Sequence, residues 1–102
     1  MPKRAAVPPD PPTVSAENAA SLAAFANHLA TRSAHTRSAY LRDVTQLAMA
    51  AGETPLPTLR RAQIARILGT LHARGLSGRS LARMLSAWRA FYRFLREHDR
   101  TV

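Results

Sequence analysis

Between Thr54 and Arg96 the only charged side chains are Arg60, Arg61, Arg66, Arg74, Arg79, Arg83, Arg89, Arg93 and Arg96, with no acid among them. Guanidinium groups at this density are suited to forked hydrogen bonds with phosphate or carboxylate oxygens. The whole chain of 102 residues has 15 Lys and Arg against 6 Asp and Glu, a net charge of +9, so a polyanion is the natural partner. The other reactive side chains do not form a catalytic set. His28, His35, His72 and His98 fall on different predicted helices, without a paired carboxylate or an i, i+4 ligand partner. The serines stand at helix caps or on helix surfaces, and neither a Gly-rich phosphate loop nor a G-x-S-x-G elbow occurs. Cysteine is absent, which removes disulfides and thiolate metal sites. The reading is a binding protein without metal or cofactor, not an enzyme.

The elements that must position these arginines follow from periodicity. From Ser77 to Arg96, Leu81, Met84, Leu85, Trp88, Phe91, Tyr92 and Leu95 fall on one half of a helical wheel. Arg79, Arg83, Ser86, Ala90 and Arg93 line up opposite, and the helix is expected to run about five turns. Helix A starts at the Ser15 cap and ends near Ala30, with a thin stripe of Ala19, Leu22, Phe25, Ala26 and Leu29, so it should be the least strongly held element. Helix B runs from Ser33 to Gly52, with Tyr40, Leu41, Val44, Leu47, Ala48 and Ala51 inward and His35, Ser38, Arg42, Thr45 and Met49 outward. A loop over 53–58, stiffened by Pro55 and Pro57 with Leu56 and Leu59 tucked beneath, leads to helix C at about Arg61 to Ala73, which Gly75 stops. No segment alternates with period two. The predicted fold is therefore all-α, a compact bundle of four helices.

Domain organisation is equally simple. Pro2, Pro8, Pro9, Pro11 and Pro12 make residues 1–14 a disordered arm, residues 15–99 the folded domain, and 100–102 the start of a linker. No run approaches the roughly 20 apolar residues of a membrane span, and the first residues lack the apolar core of a signal peptide. A cytoplasmic protein is expected.

The run GLSGRSLARMLSAWRAFYRFL, preceded by a helix of the form S-x-H-T-x-x-x-Y-x-x-D, resembles the N-terminal core-binding domain of tyrosine site-specific recombinases, the Xer and phage-integrase family. The likeness spans Ser15 to about Asp99 and rests on Ser33, Thr36, Tyr40 and Asp43 in helix B and on Gly75, Ser77, Ser80, Arg83, Leu85, Ser86, Arg89, Phe91 and Leu95 around helix D. It implies a SAM-like bundle whose second and fourth helices enter the DNA major groove while a catalytic domain clasps the opposite side. By position, helix B would present Thr36 and Ser38 to double-stranded DNA, and helix D would present Arg79, Ser80 and Arg83. Arg42 and Ser86, on the same outward faces, complete the candidate set. The resemblance also implies a catalytic domain beyond Val102 and other protomers in a tetramer on paired sites; the isolated domain is expected to be a monomer. Tyr40 and Tyr92 lie on apolar helix sides and are not nucleophile candidates.

Two other functions fit the residues: a helical protein-interaction module whose basic surface takes an acidic protein, and a free-standing helix-turn-helix regulator, which the turn from Gly75 to Ser77 permits. Three structural expectations complete the reading. Asp43 pairs with Arg89 across helices B and D; Phe94 either packs on a neighbouring helix or marks a seam with another domain; Arg66, on helix C, lies away from the groove face.

Overall fold

The computed structural model describes residues 14–99. Three serines start three of its helices. Ser15, Ser33 and Ser77 turn their Oγ back to accept the amide of Asn18, Thr36 and Ser80 at 3.2, 3.1 and 3.1 Å, the first two from extended backbone. The helices so begun are α1 (Ala16–His28), α2 (Ala34–Ala51) and α4 (Gly78–Asp99), with α3 (Arg61–Ala73) between the last two. α3 starts differently: the Gln63 side chain reaches back to accept the Arg60 amide at 2.7 Å, while a guanidinium at position 60 has no lone pair with which to return the bond. α1 stops at His28, short of the predicted end, and α4 is longer than predicted at 22 residues.

The connections are specific. Gly75 has φ of +104°, and the amides of Gly75 and Leu76 close back on the carbonyls of His72 and Leu71 at 3.0 and 3.2 Å, ending α3 in a Schellman turn. Between α2 and α3 the proline-bounded segment winds one turn of 3-10 helix, Leu56–Thr58, and buries Leu56 completely. No strand occurs among the described residues. Residues 1–13 of the arm and 100–102 of the linker lie outside the described residues, while Val14 packs against the core.

α4 is the axis of the bundle and packs most extensively on α2, with α1 and α3 on its other sides. Phe25, Val44, Leu47, Ala48, Ala87, Trp88 and Phe91 are essentially inaccessible at its centre. Phe94 adopts the first of its two expected placements, buried against Phe25 and His28 of α1 at ring distances of 5.5 and 4.8 Å. Ala90, expected opposite the core, packs against it, because α4 is enclosed by three helices and its buried arc is wider than a half-wheel. α1 has one polar anchor beyond its thin apolar stripe. Asn18 is fully buried; its Nδ2 donates to the Thr54 carbonyl at 3.0 Å and its Oδ1 accepts the Leu56 amide at 2.9 Å.

Candidate nucleic-acid interface

The candidate residues sit on α2 and α4, whose first turns are built alike. Ser33 Oγ donates to Thr36 Oγ1 at 2.9 Å, and Ser77 Oγ donates to Ser80 Oγ at 3.2 Å. In both helices the cap therefore fixes a second hydroxyl, at the third helical position, where the helix dipole favours anions. A hydroxyl that accepts from its cap keeps its own proton for an outside acceptor. The middle of α2 and the first two turns of α4 converge: Arg42 of α2 and Ser80 and Arg83 of α4 line one shallow depression together with Asp43, Gln46 and Met84. Arg79 is exposed immediately before Ser80, and Thr36 is half-buried at the start of α2. Ser38 and Ser86 are exposed outside the lining of the depression.

Asp43 determines how Arg83 is held. The guanidinium grips the carboxylate with two bonds, Nε to Oδ2 at 3.0 Å and Nη2 to Oδ1 at 3.2 Å. The pair is lopsided: the Asp43 side chain is 2% exposed and that of Arg83 50%, so the acid is inside and the base points out. The bond to the carboxylate first, and its negative charge second, raise the Arg83 pKa above its ordinary value. The predicted partner, Arg89, is not used. Trp88 Nε1 donates to the Asp43 carbonyl at 2.8 Å, which sets residue 43 on the Arg83 and Trp88 side of α4. Arg89 is turned about 100° from Trp88 by helical geometry and faces α3.

One further placement differs from expectation. Arg93 does not continue the strip of Arg79 and Arg83 but lines the cleft between α3 and α4 with Arg89 and Arg96. Arg66 does not line the depression but lines the neighbouring cleft between α2 and α3, which Gln46 also borders. Gln46 itself was missed. Its signal was present, four residues after Arg42 and thus on the same helix face, but an uncharged side chain carried no weight in a reading led by charge.

The class is that of an all-α module of four helices with a cationic face across α2 and α4. Residues 22–98 match the family described as phage integrase, N-terminal SAM-like domain, and the chain belongs to that family. It is similar to proteins named tyrosine recombinase XerC: 42% identical over 76 residues to that of Chromobacterium violaceum, covering 72% of this chain and 25% of the relative. The corresponding protein of Xanthomonas campestris pv. campestris is 44% identical over 71 residues, 67% of this chain and 22% of the relative. Tyrosine recombinase XerC 1 of Ralstonia nicotianae is 42% identical over 74 residues, 69% of this chain and 22% of the relative. The chain thus spans about a quarter of the length of the curated relatives it matches. No solved structure gives a significant match. Among the described residues no helix is long and apolar enough to cross a membrane.

Proposed function

We propose that this chain is the DNA-binding module of a tyrosine recombinase, laying α2 and α4 against the major groove so that a catalytic domain can close on the other side of the duplex for site-specific recombination or integration in the cytoplasm. The observation that carries the reading is the convergence of Arg42, Ser80 and Arg83 from two helices on one depression, with Arg79 beside it. Arg79 and Arg42 are free to reach guanine edges or phosphates, Gln46 has the amide suited to adenine, and the Thr36 and Ser80 hydroxyls suit phosphate contacts near two helix N-termini. Asp43 holds Arg83 by one edge and leaves its outer edge toward the duplex. Strand cleavage is assigned to no residue of this chain, and the tetramer of protomers on paired sites belongs to the complete recombinase.

The test is a fluorescence anisotropy titration across a salt series, using a duplex selected from a random pool and its scrambled counterpart. With three to five basic groups on DNA, log affinity should fall against log salt with a slope of about −3 to −5. Arg79→Ala should weaken binding and shrink the preference for the selected duplex by about 1 to 3 kcal/mol if it reads a base edge. Arg96→Ala, in the cleft facing α3, is the matched control. Equal losses for the two variants would reduce the α2 and α4 face to diffuse electrostatics and refute the reading.

A further inference from the structure

The cleft between α3 and α4 is a second, chemically different surface. Its floor is apolar: Ile64 and Leu68 of α3 and Leu85 and Tyr92 of α4 are only partly buried, over the indole of Trp88. Its rim is cationic, with Arg61 on one side and Arg89, Arg93 and Arg96 on the other, all exposed, and among the described residues no acid lines it. The rim arginines on α4 are spaced i, i+4, i+7 and so form one row along the helix. From Leu85 to Arg96 the groove runs for about 16 Å of helix axis, the length of three turns of a partner helix.

From this we infer that the α3 and α4 groove is a docking site for an acidic amphipathic helix of a protein partner, its apolar stripe seated on Ile64, Leu68 and Leu85 and its carboxylates paired with Arg89, Arg93 and Arg96. Charge complementarity selects this occupant over the others. A second copy of the chain would bring another +9, and its 6 acids, at Asp10, Glu17, Asp43, Glu53, Glu97 and Asp99, place no two on one helix face at i, i+3 or i, i+4. A duplex would satisfy the arginines but set its hydrated phosphates over the partly buried Leu and Ile side chains, leaving the apolar floor uncovered. An acidic helix with leucines at i, i+3, i+4 and i+7 matches both parts, the helix-in-groove mode of recognition. The groove lies on a different flank of α4 from Arg79 and Arg83, so it stands or falls apart from the DNA reading.

The probe is a synthetic acidic helix of about 14 residues built of Leu and Glu in that pattern, against a scrambled peptide of the same composition. Trp88 is the one tryptophan and lines the groove, so its emission reports occupancy, and amide chemical shifts map the contact. The patterned peptide should bind at least about tenfold more tightly than the scrambled one, with shifts confined to residues 61–68 and 85–96. Leu68→Asp and, independently, Arg93→Glu should each cost about tenfold in peptide affinity, with Arg79→Ala costing nothing. Equal binding of the two peptides, shifts spread over every basic surface, or indifference to Arg93→Glu in a normally folded variant would overturn the inference. Displacement of the peptide by duplex DNA in competition would assign the groove to DNA instead.

Discussion

Arg83 spends two of its donors on Asp43, and this changes what its removal measures. Arg83→Ala leaves a carboxylate that is 2% exposed without its counter-ion, whereas Asp43→Ala releases a half-exposed guanidinium to water. Arg83→Ala should therefore lower the melting temperature more than Asp43→Ala, and the double variant should melt above Arg83→Ala alone. Thermal melts of the three variants check this, and a double variant less stable than either single one would contradict it. DNA titrations of Arg83→Ala need such melts beside them, which is why Arg79 is the cleaner probe. Tyr92 carries a pH dependence of known sign. Burial pushes its phenol up to about 12, and its hydroxyl donates to the Leu56 carbonyl at 2.7 Å. The folded chain holds that proton more tightly than the unfolded one, whose phenol titrates near about 10. Its contribution to stability is complete below about pH 10 and is lost as pH rises through about 12. Tyr92→Phe should cost about 0.5 to 1.5 kcal/mol at neutral pH for the lost hydrogen bond and flatten the decline above pH 10. Denaturant midpoints from neutral to alkaline pH test both parts.

At the scale of elements, α1 shows how a helix with a modest apolar stripe is secured. Its amide side chain at position 18 is oriented by its surroundings, with an N–H on one side and a carbonyl on the other, and it sews the helix to the turn after α2. Asn18→Ala would leave the Leu56 amide buried without an acceptor, a cost of about 1 to 3 kcal/mol, beyond the smaller loss at the half-buried Thr54 carbonyl. Chemical denaturation should show that loss, and hydrogen exchange should show the amide of Leu56 deprotected. No loss would mean that the aromatic contacts of Phe25 with Phe91 and Phe94 alone hold α1. The capping serines of α1, α2 and α4 were visible in the sequence because a cap is a local device, satisfied within four residues. The twinning of Thr36 and Ser80 with those caps is local too, and it places two hydroxyls at equivalent positions on the two helices proposed to face DNA.

For the whole molecule, charge is divided rather than merely abundant. α4 carries Arg83 toward α2, with Arg79 exposed one turn before it, and Arg89, Arg93 and Arg96 toward α3, so one helix serves two cationic faces. With a net +9 and, among the described residues, no helix that pairs two acids at i, i+3 or i, i+4, the free domain should be a monomer without DNA. Light scattering that reports a stable dimer at micromolar concentration would contradict this. Helix number, helix starts and most of the core sides of α2 and α4 were determined by the sequence, because periodicity and capping act over a few residues, while net charge acts over none in particular and supports the proposed polyanion partner. The pairing of Asp43 with Arg83 instead of Arg89, the burial of Asn18 beneath Leu56, and the assignment of Arg93 to the α3 side were decided only by tertiary structure. Each depends on the rotation of one helix about its axis relative to another, separated by 40, 38 and up to 32 residues of chain in these contacts. A helical wheel gives the angles between side chains of one helix, whereas the zero of that angle is set by the helices packed against it.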